Sequence, residues 1–138
     1  MICYVVIDTN VLVSALLTEQ DDAATVQVVR KALQGEIVPI YSNVITKEYR
    51  DVLHRSKFSF SYDLVEYVIA AIEKYGIMVS PGKSDVILPD IKDTPFYEVV
   101  LEKKDDNAYL VTGNIKHFPK QPFVVTPREL LDILNTNT

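Results

Sequence analysis

Only one cysteine, Cys3, occurs in the 138 residues. That excludes an internal disulfide and a zinc site built from cysteines. Basic charge is also in deficit. The 14 Lys and Arg are outnumbered by 19 Asp and Glu, giving a net charge of −5 and a pI near 5.0. A highly basic protein that coats nucleic acid is thereby excluded. A nucleic-acid enzyme is not, because its acids can be concentrated in a metal site. No apolar run approaches the ~18 residues that a membrane span needs. No basic leader precedes the first apolar stretch, and Asp8 interrupts it. The expectation is a cytoplasmic protein with no membrane partner. Repeats and low-complexity tracts are absent as well.

What is present describes an ordinary globular chain. Apolar residues make up 48% and charged residues 24%, which excludes disorder as the main state. The length suits one domain, residues 1–138, since two would each be too small to bury a good core. Five short apolar runs read as strands, at 3–7, 37–41, 77–79, 108–112 and 123–125. Most are continuous rather than alternating, so both faces of the sheet should be covered. Helix-period segments lie between them. Residues 22–34 place Val26, Val29 and Leu33 on one stripe, and residues 43–54 place Ile45, Tyr49, Val52 and Leu53 on another. Residues 62–75 carry Leu64, Val65, Val68, Ile69 and Ile72, and residues 95–104 carry Phe96, Val99 and Val100. The last helix, 127–134, opens on Thr126-Pro127, a favourable N-cap and first-turn pair. Alternating strands and helices predict a three-layer α/β/α sandwich around a mainly parallel sheet of about five strands.

In such a sheet, ligands bind at the carboxyl ends of the strands. Asp8 stands at one of these ends, after Val5-Val6-Ile7 and before the helix begun by Val11-Leu12-Val13. Its bland alternative is a helix cap, a task that Thr9 or Asn10 can also perform. Glu48 shares a helix face with Ile45 and Val52. A carboxylate turned to the core is costly unless it is paired or binds a metal. Its alternative is a rim position reaching water, Lys47 or Arg50. Asp90 and Asp93 form Asp-x-x-Asp before Thr94-Pro95-Phe96, where acids also suit a helix N-terminus. The run Leu110-Val111-Thr112-Gly113-Asn114 ends a strand in a polar turn, and turn chemistry alone explains its Gly-Asn. Several carboxylates meeting at strand ends raise one another's pKa, and a divalent cation relieves this. All-oxygen ligands suit Mg²⁺ or Mn²⁺ rather than zinc, and such ions serve phosphoryl chemistry.

Taken in order, Val-Ile-Asp8-Thr9-Asn10-Val, Ser42-x₅-Glu48-x₄-Leu53, Asp90-x-x-Asp93-x-x-Phe96 and Leu-Val-Thr112-Gly113-Asn114 resemble the PIN-domain ribonuclease family. The chain resembles in particular the bacterial group of toxins from toxin–antitoxin pairs. The resemblance covers residues 2 to about 134. It implies a metal-dependent nuclease that cuts single-stranded RNA, with Asp8, Glu48 and Asp93 as catalytic, metal-binding acids for Mg²⁺ or Mn²⁺. It further implies that Thr9, Asn10, Ser42, Thr112 and Asn114 support them and that Asp90 is an accessory acid. The partners it implies are a cognate antitoxin protein and a second copy of the chain in a homodimer. Lys47 and Lys116 are candidates for contact with RNA phosphates.

One departure stands at Asn114, where many family members carry an acid. An amide offers a carbonyl oxygen without charge. It supports a rival expectation, a PIN-like module that binds RNA or protein and cuts weakly or not at all. A phosphoacceptor signalling domain fails on residues, because the third strand ends in Ser80-Pro81 and the last leads to Thr126-Pro127. A phosphatase with a strand-end nucleophile wants a second Asp two positions on, and this chain has Asn10 there.

Overall fold

The structure, a computed structural model, describes residues 2–136. Five strands run β1 Tyr4–Ile7, β2 Val38–Tyr41, β3 Ile77–Met78, β4 Ala108–Val111 and β5 Val124–Val125. All pairings are parallel, in the order β3-β2-β1-β4-β5. Six α-helices accompany them: α1 Thr9–Leu17, α2 Ala24–Leu33, α3 Asn43–Leu53, α4 Tyr62–Tyr75, α5 Thr94–Lys103 and α6 Pro127–Thr136. The chain winds outward from β1 to β3, then crosses back to β4 on the other side of β1. Crossovers that run in opposite directions along the sheet, each right-handed by the general rule for parallel strands, place helices on both of its faces. The result is the α/β/α sandwich that the strand and helix patterns foretell.

Continuous apolar runs make sense in this setting. Val5, Val6 and Ile7 in the central strand, and Leu110 and Val111 beside it, are fully buried. The helical stripes hold in outline. In α3 the buried residues are Ile45, Thr46, Tyr49 and Leu53, with Val52 half-buried. In α2 the buried face is Val28, Val29 and Ala32, and Val26 and Leu33 are half-buried. The rotation follows from neighbours, since α2 packs on α1, α4 and α6 rather than on one surface. Leu64 is exposed because it lies in the first turn of α4, where Ser61 Oγ accepts its backbone N–H at 3.1 Å. Thr126 and Glu129 cap α6 reciprocally. Each side chain accepts the other's backbone N–H, at 3.1 and 2.9 Å.

Two glycines are required by the backbone. Gly35 follows α2 with φ +78°, the left-handed conformation that ends many helices. Gly76 joins α4 to β3, and a Cβ there would lie 2.4 Å from the carbonyl oxygens of both Ile72 and Pro39. Neither oxygen can move without disturbing α4 or β2. Gly76→Ala is therefore expected to cost about 1–3 kcal/mol, as overpacking does. A fall in the urea midpoint with unchanged slope would show this; an unaltered midpoint would show that the corner relaxes freely.

Candidate metal centre

The sheet order reverses between β1 and β4, and their carboxyl ends open on a crevice at that switch point. Asp8 follows β1 directly and is only 5% exposed. Although it occupies the N-cap position of α1, it makes no side-chain cap hydrogen bond. Its carboxylate is turned instead to β4. Thr112 Oγ1 donates to Asp8 Oδ2 at 2.7 Å, and Asn10 Nδ2 donates to the same oxygen at 3.2 Å. The Thr112 hydroxyl in turn accepts the Asn114 backbone N–H at 3.0 Å, so its proton is committed to Asp8. The Asn10 side-chain Oδ1 accepts the Gly113 N–H at 3.3 Å, tying the two strand ends together. Burial raises the Asp8 pKa, the Thr112 bond opposes this, and the charge of Asp93 adds to the rise.

Glu48 projects from α3 toward the same point and is half-buried. Its partner is the Thr9 hydroxyl, which donates to Glu48 Oε2. Lys47 and Arg50, the alternatives suggested by proximity in sequence, do not take it. Arg50 reaches Glu66 and Glu73 at 3.4 and 3.3 Å. Burial raises the Glu48 pKa; Thr9 pulls it down, Asp8 pushes it up, and Lys92 and Arg55 pull it down. The next residue, fully buried Tyr49, donates from its hydroxyl to the carbonyl of Ile7, the last residue of β1. That bond anchors α3 beside Asp8. Ser42, also buried, starts α3 by accepting the Ile45 N–H at 3.3 Å.

Asp93 opens α5, again without a side-chain cap bond. It faces His117, whose Nδ1 lies 3.2 Å from Asp93 Oδ2. Its pKa is raised first by burial and then by Asp90, lowered by His117, and raised by Glu48. Asp90 has the capping role that Asp93 lacks, since its Oδ1 accepts the Lys92 N–H at 2.9 Å. Both acids of Asp-x-x-Asp reach the crevice, but Asp90 also caps the turn before α5, whereas Asp93 makes no cap bond.

Asp8, Glu48 and Asp93 line one cavity of about 620 Å³, together with Thr9, Asn10, Asp90 and Asn114. Each of the three carboxylates destabilises the charge of another across it. Among the described residues, no three of His, Cys, Asp and Glu are grouped tightly enough to hold an ion as they lie. Each acid leans on its own donor, Thr112, Thr9 or His117. The donor set nonetheless fits a hard cation: mutually repelling carboxylates with hydroxyl and amide oxygens, and no thiol. Lys47 lines the cavity, whereas Lys116 lines a smaller neighbouring one with Gly113 and Thr126. The cavity wall also contains Arg55, Phe58 and Lys92. No motif or period in the sequence marks these three. They come from connectors without helical or strand period, and only the turn after α3 and the loop before α5 bring them here.

The family model of the PIN domain matches residues 4–116, from the start of β1 through the turn after β4. No curated protein and no solved structure matches the chain. No helix among the described residues is long and apolar enough to cross a membrane. The matched span contains Asp8, Glu48, Asp93 and Asn114, and the parallel sheet has the fold that the family implies. PIN domains are in general metal-dependent nucleases, and this chain belongs to the PIN domain family.

Proposed function

We propose that this protein is an endoribonuclease that cuts single-stranded RNA with Mg²⁺ or Mn²⁺, and that it is the toxin of a toxin–antitoxin pair. The observation that carries the nuclease reading is the convergence of Asp8, Glu48 and Asp93 on one cavity at the switch point of the sheet. These three acids would hold the cation. When bound, it would offset charge on a phosphoryl oxygen and help a water to ionise. The chain's own residues prepare that site. Thr112 and Asn10 hold Asp8 as an acceptor, Thr9 orients Glu48, and His117 steadies Asp93. Lys47 stands at the cavity for a substrate phosphate. The toxin reading rests on the likeness of the four motifs to that bacterial group. The homodimer that goes with it would cover exposed aromatic residues of α4 such as Tyr67, which is 64% exposed.

The test is cleavage of single-stranded RNA by purified protein. Cutting is expected with Mg²⁺ or Mn²⁺ and none with EDTA. Equal cutting in EDTA would overturn the reading. Induced expression should arrest growth, and Asp8→Asn should relieve the arrest.

A second reading has its own observation. Asn114 is exposed at the cavity where many relatives carry an acid. If the missing charge weakens the site, Asn114→Asp should raise the rate or tighten Mn²⁺ binding, on the order of tenfold for one added pK-scale increment of about 1.4 kcal/mol. Calorimetric titration with Mn²⁺ measures it. No cutting by the parent under any metal, with cutting conferred by Asn114→Asp, would make the natural protein a binding module.

A further inference from the structure

We infer that Phe58, with Arg55, forms a stacking subsite that seats an unpaired base of the RNA strand beside the acids. This deepens the proposed nuclease reading and rests on it for the identity of the strand. The cavity is lined by two chemically different sets of side chains, the carboxylates and the apolar Val13, Val44, Val52 and Phe58. A bare cation would need only the first. Apolar side chains within a charged cavity fit a ligand with both an ionic part and a flat apolar part, which a nucleotide has.

Phe58 is placed for this role rather than for the core. It is half-buried and lines the cavity, yet it is not among the residues packed against the hydrophobic core, whereas Phe60 is. Phe60 backs it, with ring centroids 5.4 Å apart and planes within 10°. A ring braced in this way loses little freedom when a base stacks on it. Lys57 Nζ stands over the Phe58 ring, 5.0 Å from its centroid, a place that a stacking base would take from it, and Arg55 and Lys92 line the same cavity within electrostatic reach of Glu48. Aromatic rings interleaved with cations are the usual chemistry of single-strand binding, in which rings take bases and cations take phosphates. A phosphate held at the acids' end of this cavity would leave its neighbouring base for Phe58, and Arg55, which lines the same cavity, for the next phosphate.

The test uses the full chain with Mg²⁺ and an octameric single-stranded RNA. The RNA carries cleavage-resistant phosphorothioate linkages and one 2-aminopurine, whose fluorescence is quenched on stacking. Binding by the parent should quench it. Phe58→Ala should abolish the quench and weaken binding roughly tenfold, within the range measured for single base–aromatic stacks. Phe58→Trp should restore both, which a merely structural role would not require. Against the same RNA with an abasic site in place of the 2-aminopurine, Phe58→Ala should cost nothing. Arg55→Ala should make the slope of log K against log salt shallower by about 0.7, one phosphate contact on a single strand. If Phe58→Ala binds and quenches like the parent, the subsite is wrong and the nuclease reading is untouched. If Phe58-dependent quenching occurs in a protein that cuts no RNA under any metal, the subsite stands and the nuclease reading falls. If the parent binds no RNA, both fall.

Discussion

Asp8→Asn is expected to slow RNA cleavage by 10²-fold or more and yet to melt at a higher temperature than the parent in EDTA. Both effects come from one charge. The variant side chain keeps the shape and keeps an oxygen to accept from Thr112 and Asn10, so the local hydrogen bonds survive. What disappears is a carboxylate that is 5% exposed and shares a cavity with Asp93 and Glu48. Burial and the Asp93 charge raise its pKa in the folded state. A raised carboxylate pKa means that the native state binds the proton more tightly than the unfolded chain. The parent's stability from this group is therefore present at low pH. It is lost as pH rises from the unfolded value, near 4, through the raised folded value. The melting advantage of Asp8→Asn should accordingly be small near pH 4 and larger at pH 7. The catalytic loss has the magnitude of removing one main electrostatic contact to the transition state. Melting curves in EDTA at several pH values, beside cleavage rates in Mn²⁺, separate the two. A variant that melts lower than the parent at pH 7 would show that Asp8 is held for structure. One that cuts as fast as the parent would remove Asp8 from the reaction.

Asp8 was legible because three rules coincide on it: an apolar run, a strand end and a following helix. Glu48 was legible from its spacing to Ile45 and Val52, which turns it toward the core whatever the fold. The division of labour within Asp-x-x-Asp was not legible from the two residues themselves, and only the family resemblance separated Asp93 from Asp90. Asp90 and Asp93 have the same side chain and the same claim to a helix start. Both line the cavity, and what separates them is their partners: Asp90 accepts the Lys92 N–H, while Asp93 faces His117, 24 residues away in sequence. Ser42 belongs to the same class. The resemblance marks it as a supporting residue, and the contact seen in the structure is the cap of the helix that carries Glu48. Arg55, Phe58 and Lys92 were out of reach for another reason. Their segments have no period, and a side chain's direction in a connector is set by how the flanking helices dock. The sheet order shows the opposite case. Short connections and right-handed crossovers leave few topologies, and the central place of β1 follows from its being the most continuously apolar run.

The helices that bring Glu48 and Asp93 to the crevice meet through one buried ring. Phe96 is 1% exposed and lies two residues inside α5 from Thr94. Its centroid is 6.2 Å from that of Tyr49, with planes tilted by 51°. Tyr49 in turn is hydrogen-bonded to the Ile7 carbonyl at the end of β1. Phe96 thus sits under α3, α5 and the strand that leads to Asp8. Phe96→Ala removes most of a fully buried side chain and leaves a cavity that β1 and β4, already packed on both faces, cannot close. The expected loss is about 3–5 kcal/mol, or on the order of 10 °C in melting temperature for a chain of this size. Cleavage should fall as well, by more than tenfold at a temperature where the variant is still folded. A carboxylate displaced by about 1 Å costs that much or more. Phe96→Leu fills most of the space and should keep the loss below about 1.5 kcal/mol. Urea unfolding followed by circular dichroism, with rates measured well below each midpoint, distinguishes the outcomes. A Phe96→Ala midpoint equal to the parent's would mean that the ring is not the joint between the two helices. A large stability loss with an unchanged rate would mean that the acids are positioned by their own hydrogen bonds to Thr9, Thr112 and His117 alone.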